Sequence, residues 1–320
     1  MSKQKIVTLG GGSGHYILLK ALSGIGNVEI TAVVAMSDSG GSSGRLRDEK
    51  GTLPPGDALK CLLALSSFDE AREIFQHRFL NEDETQGHSF GNLVLVDLAE
   101  RLNHDFPRAI RRMGQALNCR GRVLPVTTDK TTLLAELENG EKVFSEANID
   151  QVRYDRTSRI KDVCLVPHRG DLKVYMPVLD AISEADYIII SPGDWLTSLM
   201  PVFKVPEVVD AIQRAEAKLI YVMSVMTKFG ETDGYTSRSF IDSLVNSVGI
   251  NPEIVLANDR GVDSEVLEKY KLENAEQVLV DVTEEELDSW LILRDLITEG
   301  DLVRHDITKL MNALEEIIDK

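Results

Sequence analysis

The apolar positions of the first 36 residues follow two periods. Ile6, Val7 and Leu9 form a short extended run, Gly10-Gly11-Gly12-Ser13-Gly14 interrupts it, and Ile17, Leu18, Ala21 and Leu22 then recur at helical spacing before a second apolar run over residues 29–36. The pattern predicts strand, turn, helix and strand. Residues 1–36 thus read as an opening βαβ unit with a parallel pair and a right-handed crossover, the usual start of a doubly wound sheet.

Residues 37–56 are polar, rich in Gly and Ser, and too long for an ordinary connection, so they are expected to form a functional loop. Helical spacing follows over residues 57–65, 69–79, 90–102 and 107–117 with no strand between, which predicts a helical layer over about 57–117. A small β excursion is expected over about 122–166. It begins with a strand at 122–126 and includes a hairpin in which Asn139-Gly140 joins residues 134–137 to 142–145.

Strand and helix alternate from residue 160 onward, with strands at 187–190, 219–223, 254–257 and 277–280 and helices at 205–216, 237–248 and 306–318. No repeat, low-complexity tract or linker breaks the chain. The expectation is one α/β domain over residues 1–320. Its fold is a modified doubly wound, Rossmann-like, mainly parallel sheet with helices on both faces, a helical layer and a small β insertion.

Thirty-five basic residues against 52 acidic ones give a net charge of −17, which repels nucleic acid. Apolar residues make up 43% of the chain, yet no run of about 18 of them occurs, so membrane insertion is not expected. Cys61, Cys119 and Cys164 are odd in number and far apart, which suggests neither disulfides nor a zinc site. With Ser2-Lys3-Gln4-Lys5 leading directly into the first strand, a cytoplasmic location is expected. A small polyanion can still bind an acidic chain where backbone N–H groups, arginines or a divalent cation reverse the field.

The glycine turn offers such a place. Between a strand and a helix, Gly11, Gly12, Ser13 and Gly14 let the backbone approach a phosphate at a helix amino terminus. His15 stands where a dinucleotide fingerprint requires glycine, and the Lys-Ser/Thr ending of a P-loop is missing. The bland alternative is a tight turn that binds nothing.

Asp38 follows the second strand and precedes Gly40, Gly41, Ser42, Ser43 and Arg45. It suits either ribose hydroxyls or Mg2+. Arg45 and Arg47 suit a phosphate clamp or a solvated surface. Asp57 suits an N-cap or a metal. Gly87-His88-Ser89-Phe90-Gly91 matches a hydrolase nucleophile motif but lacks the strand that motif needs, so His88, Ser89 and Asn92 are read as ligand-facing donors, or Ser89 as a cap. Gly193, Thr197 and Ser198, and later Thr232 and Asp233, follow strand ends where open α/β sheets bind ligands, a composition that equally suits an ordinary loop.

These segments, with Leu53–Asp57, Gly121–Pro125 and Met226–Tyr235, resemble the YvcK-like gluconeogenesis-factor family, UPF0052, over about the first 260 residues. That family is related to the CofD-like 2-phospho-L-lactate transferases, which move a phospholactyl group from a nucleotide diphosphate conjugate to a deazaflavin alcohol. The resemblance implies a cytoplasmic nucleotide-binding regulator of carbon metabolism and cell shape whose ligand is a UDP-sugar such as UDP-N-acetylglucosamine, with room for a homo-oligomer. It implies that Asp38 and Asp57 are the Mg2+ pair, and the catalytic pair if there is turnover. Ser39 replaces a second aspartate of the family pattern, and Ala58-Leu59-Lys60-Cys61 replaces its arginine and asparagine. A Mg2+-dependent transferase and an NADP-binding protein are the alternatives.

Overall fold

The computed structural model describes residues 3–80, 85–155, 157–282, 290–298, 300 and 302–318. The chain opens with β1 (Gln4–Gly10), α1 (Gly12–Leu22) and β2 (Val28–Val34). β1 and β2 pair in parallel from Gln4 opposite Val28 to Gly10 opposite Val34, the expected opening unit. Five helices follow: α2 (Gly41–Lys50), α3 (Gly56–Leu65), α4 (Ala71–Gln76), α5 (Phe90–Arg101) and α6 (Phe106–Ala116). β3 (Gly121–Pro125) then returns to pair in parallel with β2.

β4 (Thr131–Leu137), β5 (Lys142–Phe144), α7 (Glu146–Asp150) and β6 (Ile160–Pro167) come next, with the three strands in a separate antiparallel sheet ordered β5-β4-β6. The remainder runs α8 (Met176–Ser183), β7 (Tyr187–Ile190), a π-helical turn over Trp195–Leu199, α9 (Met200–Phe203), α10 (Val208–Arg214) and β8 (Lys218–Val222). It ends with α11 (Ser237–Ser243) and its π-helical extension to Val248, β9 (Ile254–Asn258), α12 (Ser264–Leu272), β10 (Leu291–Arg294) and α13 (Ile307–Ile318). Among the described residues no helix is long and apolar enough to cross a membrane.

The main sheet has seven strands in the order β10-β9-β8-β7-β1-β2-β3, and every neighbouring pair is parallel. The chain steps outward from β1 to β3, then restarts on the other side of β1 at β7 and steps outward to β10. At such a reversal the loops leaving the two central strands part to opposite faces and leave a crevice.

Strand alternation divides the interior. Ile6, Ile30, Ala32 and Val34 point to a core shared with α1, α3, α5, α6 and α13, whereas Val7, Leu9, Val33, Ile188 and Ile190 point to one shared with β4, β6 and α8–α11. Each enclosed Leu, Ile or Val contributes roughly 1.5–3 kcal/mol, so the two faces hold the scaffold and leave the loops at its carboxyl edge available for a ligand.

Four expectations need correction. The polar segment 37–56 contains α2, hidden from a pattern reading because Gly41, Ser42, Ser43 and Gly44 are weak helix formers and Leu46 is its one apolar residue. The β excursion does not begin at 122, since β3 belongs to the main sheet. Residues 277–280 make two isolated bridges, Met226 to Gln277 and Thr236 to Leu279, and the seventh strand is β10. Asp57 is not an N-cap: Pro55 holds that position and Asp57 lies inside the first turn of α3.

Candidate functional site

At the end of β1 the chain enters α1 within one residue, and among the described residues no side chain caps that helix start. Its first N–H groups lack intrahelical partners and form the positive end of the helix dipole. Close quarters explain the glycines. A Cβ on Gly10 would run into the Ser191 hydroxyl and one on Gly14 into the Pro192 carbonyl. One on Gly11 would stand 2.6 Å from Asp57 Oδ2, and Gly12 has φ +67°. The turn is therefore a packing requirement of the loop after β7 as well as an opening toward solvent. His15 lies beneath it, fully buried, with Nε2 2.7 Å from Thr8 Oγ1. Burial pushes its pKa down to about 4, which makes it a neutral strut.

Beyond β2, Gly40 N–H donates to Asp38 Oδ1 at 2.8 Å and α2 begins. Ser42 Oγ lies 2.9 Å from His88 Nδ1 and accepts from Asn92 Nδ2 at 3.0 Å. Ser89 Oγ accepts from Asn92 N–H and caps α5. These bonds stitch the starts of α2 and α5 together, and buried Asn92 Oδ1 has no partner among the described residues.

Between them lies a cavity of about 930 Å3. Ser13 of α1, Gly41–Ser43 of α2, Gly56 of α3, Ser89 and Asn92 of α5, and Asp306–Thr308 of α13 all line it, so the amino ends of five helices converge on one space. Lys60, Arg72, Arg78 and Arg304 line it as four cationic side chains against the carboxylates of Asp38 and Asp306, with Arg78 also donating to Gly87 O at 2.7 Å. The Arg72 guanidinium lies 4.6 Å above the Tyr16 ring. A smaller hollow of about 190 Å3 shares Ser13, Ile17, Arg304 and His305 with the cavity and adds Gly14, Gly193, Asp194 and Thr232. A chain of net charge −17 thus lines its large cavity with more cationic than anionic side chains.

Of the residues singled out from sequence, Ser13, Asp38, Gly40, Gly41, Ser42, Ser43, Ser89 and Asn92 face the large cavity, and Gly14, Gly193 and Thr232 face the small one. Gly11 and Gly12 pack beside Asp57 and Ser198. Others are engaged elsewhere. Arg45 donates to Gln86 O at 2.6 Å, Arg47 to Asp48 at 2.9 Å, and His88 sits behind Ser42. Thr197 is held by Glu231, and Asp233 accepts from Gly230 N–H. Sequence reasoning missed Arg72, Arg78 and Arg304, which belong to no motif. Lys60 carried a signal, its proximity to Asp57.

Carboxylates ring the crevice. Burial and the neighbouring Asp57 raise the Asp38 pKa, against the Gly40 N–H and the Ser43 hydroxyl, which lower it. Glu146 of α7 accepts from Ser39 N–H at 3.1 Å, and burial, then Asp38, push its pKa up to about 7. Farther round, oxygens of Asp150, Asp194 and Glu231 lie within 4.8 Å of one another, with Lys228 Nζ 2.9 Å from Asp150. Glu231 accepts from the N–H groups of Leu196 and Thr197 and from the Thr197 hydroxyl, so it caps the π-helical turn.

At the pair to which the resemblance assigns Mg2+, a resident ammonium competes with that ion. Mg2+ demands near-octahedral oxygen ligation. Here one oxygen of Asp57 is already held by the Lys60 ammonium at 2.9 Å, and Asp38 is occupied by Gly40 and Ser43.

Residues 6–297 match the family model described as 2-phospho-L-lactate transferase CofD. The chain is 37% identical to the gluconeogenesis factor of Halalkalibacterium halodurans over 99% of this chain and 97% of that protein. The Bacillus subtilis gluconeogenesis factor is also 37% identical, over 99% and 98%. A crystal structure of a UPF0052-family protein from Bacillus halodurans superposes with a TM-score of 0.89 at 37% identity, covering 98% of this chain and 99% of that one.

Proposed function

Because the chain belongs to the 2-phospho-L-lactate transferase CofD family, together with the gluconeogenesis factors, we propose that it binds a nucleoside diphosphate conjugate in the cavity between the start of α1 and the loop after β2. A UDP-sugar of the UDP-N-acetylglucosamine type is the ligand of this reading. Occupancy of the site then reports precursor supply to carbon metabolism and cell-shape maintenance.

One observation carries the proposal: five helix amino ends and four cationic side chains meet in a single cavity of about 930 Å3 on an acidic protein. Unpaired N–H groups at a helix start stabilise an anion, and guanidinium–phosphate bonds add charge-assisted donors. Ser42, Ser43, Ser89 and the unpartnered Asn92 Oδ1 supply hydroxyl and amide groups suited to a sugar.

Calorimetry with UDP-N-acetylglucosamine, UDP-glucose, NADP and GDP tests it. UDP-sugars are expected to saturate a single site below millimolar concentration. Failure of all four to saturate at millimolar concentration would remove the proposal.

A transferase reading is supported by Asp38 alone, a cavity-facing carboxylate whose raised pKa suits acceptance of a proton from an acceptor hydroxyl. It requires turnover of a nucleotide diphosphate conjugate that Asp38→Asn abolishes.

A further inference from the structure

Lys60 lies one turn beyond Asp57 on α3, and helical side chains lean toward the amino end, so its ammonium reaches back to Asp57 Oδ1 at 2.9 Å. Asp57 in turn sits against the glycine turn, where a Cβ on Gly11 would stand 2.6 Å from its Oδ2. Asp38 approaches the same place from β2: its Oδ2 would stand 3.0 Å from a Cβ on Gly56, the residue before Asp57. Two carboxylates and one ammonium therefore meet beside the start of α1, and both Lys60 and Asp38 line the large cavity.

Without a cation, Asp57 would repel a diphosphate approaching that helix end. A divalent ion is one remedy. An ammonium already bonded to Asp57 is another, and its remaining N–H donors can reach a phosphate. The two compete, since an ion on Asp57 would meet Lys60 as a like charge at close range.

We propose that Lys60 is the resident cation of this crevice: it holds the place on Asp57 that a magnesium ion would take, so ligand binding needs no divalent metal. The part concerning ligand rests on the proposed diphosphate site. The part concerning metal does not.

The ligand-free protein is titrated with Mn2+ alone, with free ion followed by electron paramagnetic resonance, for wild type, Asp57→Asn, Lys60→Gln and the double variant. Wild type and Asp57→Asn are expected to bind Mn2+ alike, Lys60→Gln to gain one site, and the double variant to lose it. A wild-type site that Asp57→Asn removes, or no gain in a folded Lys60→Gln, would overturn the proposal. Lys60→Arg, which keeps the charge, should show no gain and guards against a folding defect in the glutamine variant.

Calorimetry with UDP-N-acetylglucosamine in EDTA and in excess Mg2+ then addresses the ligand. Wild-type affinity should agree within about twofold, while Lys60→Gln should be roughly tenfold weaker in EDTA and recover in Mg2+. A wild-type loss of about tenfold on metal removal contradicts the proposal. If no nucleotide binds under either condition, the diphosphate reading fails, while the Mn2+ titration still decides whether Lys60 holds the cation place.

Discussion

Gly14, in the first turn of α1, lies directly against the Pro192 carbonyl in the loop after β7, so close that a Cβ on residue 14 would overlap it. This contact joins the two loops that part at the strand-order reversal between β1 and β7. The spacing of these two loops is consequently set by packed backbone and depends on glycine at that position.

Gly14→Ala gives the first prediction. In an unhindered helix the change would stabilise by up to about 1 kcal/mol. Here a methyl group meets a backbone carbonyl, and overpacking of this kind costs about 1–3 kcal/mol. Urea denaturation should show net destabilisation, and an increase in stability would refute the contact.

Glu146 links α7 of the β insertion to the loop after β2 through Ser39. Folding raises its pKa from 4.5 to about 7, with burial first and Asp38 second among the causes. Between these pH values the folded chain holds more of the Glu146 proton than the unfolded chain does, so this contribution to stability is complete below 4.5 and lost as pH rises through 7.

Glu146→Gln keeps an acceptor for the Ser39 N–H but cannot ionise. Relative to wild type it should gain about 1–3 kcal/mol between pH 5 and pH 8 in urea denaturation. An unchanged difference across that range would show that the carboxyl group is not held in this environment.

Arg304 and Arg45 should behave in opposite ways. Arg304 lines both cavities beside Ser13, whereas Arg45 is tied to Gln86 O. Loss of a charge-assisted phosphate bond costs about 1.5–3 kcal/mol, so Arg304→Ala should weaken UDP-N-acetylglucosamine binding by roughly 10- to 100-fold in calorimetry. Arg45→Ala should leave it within about twofold. The reverse ranking would place the phosphate in the wrong part of the crevice.

Local patterns revealed much of this architecture because β1, α1 and β2 satisfy propensity, apolar period and turn chemistry together. The Asn139-Gly140 hairpin was legible for the same reason. α2 was not, because its helix begins with glycines and serines, tied to α5 through Ser42, rather than with an apolar stripe. β10 escaped notice because it is a four-residue edge strand whose place is set by pairing with β9.

At the crevice, backbone-rich turns could be read from composition, but cations that reach it from α4, the residues just after α4 and the segment before α13 could not. Arg72, Arg78 and Arg304 come from positions distant in sequence from the glycine turn, and tertiary packing alone brings them to it. Arg45, which sits inside the polar motif, is directed away by a bond to the 85–87 turn.

The most direct test is a crystal structure with saturating UDP-N-acetylglucosamine. The diphosphate is expected within hydrogen-bonding distance of the N–H groups that open α1, with Arg304 also in contact. A diphosphate bound away from that helix start, or an empty crevice at saturating ligand, would contradict the account.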